Sequence, residues 1–179
     1  MPSKSPLKSL IRTVPDYPKP GIMFRDVTTL FGDAQGFKAC IAQLTAPYRQ
    51  TPIDAIAGIE ARGFIMGGAM ADHLGCGFIP IRKKGKLPWK TYKQDYELEY
   101  GTDTIEMHQD ALARGKRVLI VDDLIATGGT AEAAAKLIEQ ASGEIVGAAF
   151  IIDLPDLGGA EKLRQMGIAV HVLMAFEGH

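Results

Sequence analysis

Arg117-Val-Leu-Ile-Val-Asp-Asp-Leu-Ile-Ala-Thr-Gly-Gly-Thr130 joins an apolar run to two adjacent carboxylates and then to a loop of small and hydroxyl-bearing residues. Residues 118–121 are apolar, mostly β-branched and flanked by charge, the pattern of a buried parallel strand. An alanine-rich stretch with helical spacing follows over 131–141. In open α/β sheets, ligands sit outside the carboxyl ends of the strands, and Asp122, Asp123 and the loop fall at that end. Gly128 and Gly129 let the backbone turn tightly and approach a ligand closely. Thr127 and Thr130 add hydroxyl donors. The N–H groups of the loop and of the first helical turn lack intrahelical acceptors, and the positive end of the helix dipole favours an anion there. A phosphate dianion fits. The two carboxylates cannot bind that phosphate, but they can accept hydrogen bonds from a vicinal diol. Phosphate at one end and diol at the other describe a ribose 5-phosphate. An ordinary strand–turn–helix connection would account for the loop, but not for two carboxylates that repel each other at a strand end.

Working outward, strand and helix patterns alternate. Leu7, Leu10, Ile11 and Val14 predict a short N-terminal helix ending before Pro15. Residues 14–21 contain Pro15, Pro18, Pro20 and Gly21 and read as irregular loop. Phe37, Cys40, Ile41, Leu44 and Tyr48 mark one face of a helix over 36–48. Residues 53–59 and 78–82 read as strands around a helix over 63–74. A long basic loop is expected over 83–94, and a small hairpin turning at Gly101 over 96–106. After the strand at 117–121 and the helix at 130–141 come a strand at 145–154, a helix at 159–166 and a last strand at 169–174. This order predicts an α/β fold, with one mostly parallel central sheet flanked by helices in a single domain over 1–179.

The basic loop carries Arg82, Lys83, Lys84 and Lys86, followed by Lys90 and Lys93. Such a run by itself reads as solvated surface. Here it starts at the carboxyl end of a strand, on the side of the expected sugar phosphate. A leaving group on C1 of that sugar would be anionic, and cations stabilise its departure in the transition state. Arg62 also lies just after a strand. It stands at a helix start, where a cation opposes the helix dipole and so calls for a purpose.

The segment 117–130 resembles the phosphoribosyl-pyrophosphate motif of the type I phosphoribosyltransferases. Pro20-Gly-Ile-Met-Phe-Arg-Asp26, Gly58-Ile-Glu-Ala-Arg-Gly-Phe64, Ile81-Arg-Lys-Lys-Gly-Lys-Leu-Pro88 and Leu98-Glu-Tyr-Gly101 are similar to segments of the members of that family that act on adenine, in the same order and spacing. The resemblance covers nearly the whole chain. It implies the family fold, with a small hood made of the N-terminus and a loop. It also implies transfer of the phosphoribosyl group from phosphoribosyl pyrophosphate to adenine, giving AMP and pyrophosphate.

The resemblance assigns roles. Asp122 and Asp123 hold the ribose, while Ala126, Thr127, Gly128, Gly129 and Thr130 hold the 5-phosphate. Arg62, Arg82, Lys83 and Lys86 meet the pyrophosphate, and the Glu60–Ala61 peptide is cis. Backbone groups of Ile22 and Met23 read the purine edge, Phe24 stacks on the ring, Arg25 donates to a ring nitrogen and Leu124 forms the opposite wall. Glu99 takes the proton from N7 as N9 attacks, and Tyr100 closes over the reaction centre. Spacing alone leaves Glu97, Glu99 and Glu106 open for that proton, and the resemblance selects Glu99. Mg2+ is implied, bridging oxygens of the substrate with no direct protein ligand. A homodimer with the site near the interface is implied too. The chain departs from the family at the tip of the loop 86–94 and at Met66, where a bulky aromatic is common.

Bulk properties bound these expectations. Hydrophobic content of 46% and charged content of 23% are those of an ordinary globular protein. A net charge of −1 argues against a general nucleic-acid or membrane surface. Cys40 and Cys76 form no CxxC pair and sit among apolar residues. Residues 1–8 lack an apolar signal region, which with the isolated cysteines fits a cytoplasmic protein. GxxxxGK[ST], GxGxxG and HExxH are all absent. Two other functions stay open: the same chemistry on another base, and a nucleic-acid-binding regulator that senses phosphoribosyl pyrophosphate.

Overall fold

The computed structural model describes residues 6–98 and 100–178. Its strands are β1 (Arg12–Pro15), β2 (Met23–Asp26), β3 (Ala55–Ile59), β4 (Gly77–Lys83), β5 (Thr91–Glu97), β6 (Thr102–His108), β7 (Arg117–Ile125), β8 (Glu144–Asp153) and β9 (Val170–Ala175). Its helices are α1 (Thr28–Gly32), α2 (Ala34–Thr45), α3 (Arg62–Leu74), α4 (Gly129–Gln140) and α5 (Gly159–Gln165).

Seven strands form the central sheet in the order β5-β6-β4-β3-β7-β8-β9. The β4-β3-β7-β8-β9 part is parallel, and the β5–β6 hairpin pairs antiparallel along the β4 edge. β3 is buried along its whole length, as a central strand covered on both faces must be. Alternate residues of β7 feed two cores. Val118 and Ile120 pack with α4 and α5, whereas Leu119 and Val121 pack with α2 and α3. Past the acid pair the sides exchange, so that Leu124 joins the α2–α3 layer and Ile125 the α4 layer. Asp122 and Asp123 therefore sit where the strand's in–out alternation slips.

Glycines set the depth at which α3 lies. A Cβ on Gly67 would stand 2.8 Å from the Phe78 ring, and one on Gly63 would stand 2.9 Å from the Val121 carbonyl. Only bare backbone lets the start of α3 come this close to the end of β7.

Three expectations need correction. The N-terminal helix is only a 3-10 turn, Pro6–Leu10, and Ile11 and Val14 do not continue it. Instead β1 pairs with β2 from Arg12↔Asp26 to Pro15↔Met23, so strand pairing overrides the weak helical spacing. The basic loop is shorter than expected. From Thr91 onward the chain alternates as a strand, with Tyr92 and Tyr96 packing inward and the charged residues between them facing out. Finally, β7 runs through the acid pair to Ile125 rather than stopping at Val121.

The β1–β2 ribbon and α1 form the hood. Asp26 holds its base. Its carboxylate accepts from the Thr28 hydroxyl at 2.7 Å and N–H at 2.9 Å, and pairs with Arg12 at 2.5 Å. The Thr28 hydroxyl, then its N–H, then Arg12 hold the Asp26 carboxyl down to about 2. A depressed folded-state pKa stabilises above the unfolded value, and that stabilisation is lost as pH falls through the folded value. Thermal melts are therefore expected to lose stability between about pH 4 and pH 2, and Asp26→Asn to flatten that part of the profile. An unchanged slope in the variant would remove Asp26 as the cause.

Candidate active site

The chain leaves β3 for β4 on one side and later returns to lay β7 on the other side of β3. A crevice opens at the carboxyl ends of such a pair, the usual ligand position in an open α/β sheet. Here those ends are Glu60-Ala61-Arg62 after β3 and residues 122–130 along and after β7.

Behind the end of β7 lies a cavity of about 200 Å³, lined by Asp122, Leu124, the loop from Ala126 to Thr130 and Phe150. Gly128 caps α4 in the left-handed conformation, φ +82°, and no side chain among the described residues caps that helix. The first-turn N–H groups of this 12-residue helix thus remain available to an anion in the cavity. The loop is braced from below by the start of α5. A Cβ on Gly128 would stand 2.9 Å from the Gly159 Cα, one on Gly159 would meet the Ala126 carbonyl, and the Gly159 N–H donates to that carbonyl at 3.0 Å. Gly159 was not singled out in the sequence, because its partner loop is some thirty residues away. We expect Gly159→Ala to push the loop outward and raise KM for a phosphorylated substrate about tenfold, roughly 1.4 kcal/mol of lost binding. Steady-state kinetics check this, and an unchanged KM would show that the loop tolerates the methyl group.

The acid pair has split environments. Asp123 is buried and accepts from Arg62 Nε at 2.5 Å. Asp122 keeps some accessible surface, but its carboxyl is crowded beneath α3, 3.1 Å from where a Gly63 Cβ would stand, and it takes the Asp123 N–H at 2.8 Å. Burial first, and the Asp123 charge second, push the Asp122 carboxyl well above the usual carboxylate range.

Arg62 stands at the start of α3 as expected, and Asp123 supplies the countercharge that a cation there requires. Burial works against its charge, but Asp123, Asp122 and then Asp26 outweigh it and raise the Arg62 pKa. The Glu60–Ala61 peptide before it is cis.

Glu60 gathers the remaining cations. Its largely buried carboxylate accepts from the Lys83 N–H, from Lys86 Nζ at 3.0 Å and from Arg82 Nη2 at 3.4 Å. Burial pushes this carboxyl up, but the Lys83 N–H, Lys86 and Arg82 outweigh it and hold it below its ordinary value. Arg82 also lies over the Phe64 ring, 5.8 Å from the centroid. Arg82 and Lys86, from the end of β4 and just after it, are thus collected on Glu60 at the end of β3, two residues before Arg62. The Lys83 ammonium is not among them, because it pairs with Asp103 of the hairpin at 3.0 Å. Glu60 itself was passed over in the sequence, although it stands two residues from Arg62.

The hairpin leans over the phosphate loop. The Glu97 carbonyl lies 3.4 Å from where a Gly129 Cβ would stand. Glu99 lies outside the described residues. On one side of it Leu98 donates its N–H to the Gly101 carbonyl at 2.9 Å. On the other, Tyr100 is 76% exposed, with Lys19 of the hood 4.7 Å from its ring centroid.

In the hood, Met23 and Phe24 occupy β2, and Phe24 packs edge-on against Tyr17 with centroids 5.3 Å apart. Arg25 is tied down, donating to Thr13 Oγ1 at 2.7 Å and to the Glu177 carbonyl at 3.4 Å. Leu124 packs with the α2–α3 layer. Among the described residues no group of three or more His, Cys, Asp or Glu could hold a metal ion. Both cysteines are free thiols, and burial pushes Cys40 up to about 12.

Comparison with known proteins agrees with this geometry. A family model described as the phosphoribosyl transferase domain matches residues 29–165. The adenine phosphoribosyltransferase of Maricaulis maris is 63% identical over 172 residues, covering 96% of this chain and 98% of that protein. The crystal structure of adenine phosphoribosyltransferase from Rhodothermus marinus superposes with a TM-score of 0.90 at 52% identity, covering 95% of this chain and 96% of that one. The Saccharomyces cerevisiae enzyme, solved in complex with an imino-altritol bisphosphate and adenine, superposes with a TM-score of 0.88 at 39% identity, covering 94% of this chain and 96% of that one. The chain belongs to the phosphoribosyltransferase family, and within it to the adenine phosphoribosyltransferases.

Proposed function

We propose that this protein transfers the 5-phosphoribosyl group from phosphoribosyl pyrophosphate to adenine, producing AMP and pyrophosphate. The Arg62–Asp123 contact carries the reading. At 2.5 Å it joins a cation suited to pyrophosphate to a carboxylate suited to the ribose diol, at the switch point between β3 and β7. These are the two sides of the bond that breaks. The adenine found with the yeast relative supports the choice of base.

In this mechanism the loop from Ala126 to Thr130 and the start of α4 hold the 5-phosphate. Asp122 and Asp123 orient the ribose, so C1 faces the hood. Purine N9 forms a bond to C1 while the bond from C1 to the pyrophosphate oxygen breaks. Arg62, Arg82 and Lys86 take the departing charge in a site where fixed donors stabilise it strongly. The proton lost from N7 passes to Glu99. Phe24 and Leu124 flank the ring, Arg25 donates to a ring nitrogen, and the Ile22 carbonyl and the Met23 backbone are offered to its edge, the Ile22 N–H being already given to the Lys19 carbonyl at 3.2 Å. Guanine would place an acceptor where this edge expects a donor, which disfavours it.

The donor set, a pair of carboxylates with no third ligand beside them among the described residues, suits a Mg2+ carried by the substrate rather than a protein cage, and Asp122 and Asp123 would hold it through its waters. Such an ion would neutralise pyrophosphate charge. A homodimer and a cytoplasmic location complete the proposal. No helix among the described residues is long and apolar enough to cross a membrane.

The test is turnover with adenine, phosphoribosyl pyrophosphate and Mg2+, compared with guanine, hypoxanthine, xanthine and orotate. Formation of AMP in strong preference to the other nucleotides supports the reading. Faster turnover of another base replaces adenine with that base. No turnover together with tight RNA or DNA binding replaces the enzyme reading with the regulator.

A further inference from the structure

The segment that follows β9 bridges two parts of the site. The Phe176 N–H donates to the Asp153 carbonyl at 3.1 Å, at the carboxyl end of β8. The Gly178 N–H donates to Asp156 Oδ2 at 3.0 Å, in the turn that leads to Gly159 and the phosphate-loop brace. The end of β9 and this segment also meet the N-terminal 3-10 turn and the hood. Lys8 Nζ donates to the Ala175 carbonyl at 2.5 Å and stands 4.4 Å from the centroid of the Phe176 ring. The Arg25 guanidinium lies over that ring too, 4.5 Å from its centroid, and donates to the Glu177 carbonyl at 3.4 Å.

Arg25 would otherwise be poorly fixed. A long arginine side chain loses considerable rotamer freedom when ordered, so something must hold it before it can read a base. The Thr13 hydroxyl holds one end, Nη1, at 2.7 Å. The Phe176 ring and the Glu177 carbonyl hold the rest. Arg25 Nε is buried without a protein partner among the described residues, so the ring face and these acceptors are what orient the guanidinium. A planar guanidinium over an aromatic face keeps its edge free for directional donation.

We propose that Phe176 and Glu177 form a C-terminal strap that sets the position of Arg25, making Phe176 a positioning residue for purine recognition. This rests on the reading of Arg25 as a contact to the base. Phe176 does not touch the reacting atoms. It acts through Arg25, so its loss should weaken binding of the base and spare binding of the sugar pyrophosphate.

The experiment compares wild type, Phe176→Leu and Phe176→Tyr in steady-state kinetics. Each substrate is varied at saturation of the other, with a thermal melt of each protein. Phe176→Leu keeps bulk and removes the ring face. It is expected to raise KM for adenine about tenfold, within the range of a desolvated cation–π contact, and to leave KM for phosphoribosyl pyrophosphate within about twofold. Phe176→Tyr restores the wild-type value. If Phe176→Leu does not fold, Phe176→Met is read in its place. Wild-type turnover of adenine with an unchanged adenine KM in the ring-less variant overturns the strap, and so does an equal rise in both KM values. Failure of the wild type to use adenine overturns instead the functional reading beneath it.

Discussion

Asp123→Asn is expected to lower kcat/KM for phosphoribosyl pyrophosphate by about a hundred- to a thousandfold. Asparagine keeps the shape of the side chain, so the loop from Ala126 to Thr130 should stay in place. What it removes is the charge. Asp123 is only 4% exposed and holds Arg62 Nε at 2.5 Å. Removing one charged partner from a desolvated, hydrogen-bonded pair costs about 2–5 kcal/mol, and each 1.4 kcal/mol is about tenfold. The Arg62 side chain is 47% exposed, and water compensates a half-exposed cation for a lost partner. The loss should therefore fall on catalysis more than on folding. Kinetics and thermal melts of the same variant separate the two. A large fall in Tm with near-normal kcat/KM would make the pair a structural brace and would remove Asp123 from the ribose site.

The second large effect is expected at the hairpin turn. Glu99→Gln should lower kcat by about a hundred- to ten-thousandfold, the usual range for loss of a general base. Glu97→Gln and Glu106→Gln should leave kcat within a few-fold. Glu106 is only 3% exposed, pairs with Lys93 at 3.6 Å and accepts from the Gly85 N–H at 3.3 Å. Those contacts anchor β6, and a group so engaged has no freedom to take a proton from a base. Its loss should appear in the melting temperature. Glu97 faces Thr102 at the last pair of the hairpin and so belongs to the strand rather than to the turn. Rate constants for the three variants at saturating substrates decide the matter. Equal losses at all three positions would sink the assignment of Glu99.

These contrasts show where sequence patterns carry information. The strand at 118–121, the glycine-rich loop and the alanine-rich helix were legible because each is local, with its period and its turn residues written in consecutive positions. The extension of β7 to Ile125 was not, because two acidic residues interrupt the apolar pattern. The strand continues past them through pairing with β8, Asp122 opposite Phe150, Leu124 opposite Ile152 and Ile125 opposite Asp153. The first half of β5 was hidden in the same way, its Lys93 and Gln94 reading as loop until pairing with β6 fixed which face they take. The helix expected over residues 7–14 shows the converse. Helical spacing there gave way once Arg12 could face Asp26 across a two-stranded ribbon.

The chemistry divides along the same line. By itself the sequence determined the α/β class, the acid pair just ahead of a phosphate-sized loop, and the supply of cations at Arg62, Arg82 and Lys86. All of these follow from residue type and short-range order. Only the tertiary structure decided how those groups are shared. It turned Lys83 toward Asp103, gave Arg82 and Lys86 to Glu60, gave Arg62 to Asp123, set Gly159 under the phosphate loop and laid Phe176 beneath Arg25. The physical reason is that ion pairs, close backbone contacts and cation–π contacts depend on distances across the fold. Neighbours such as Arg62 and Asp123, sixty-one residues apart, meet only once the sheet places β3 beside β7.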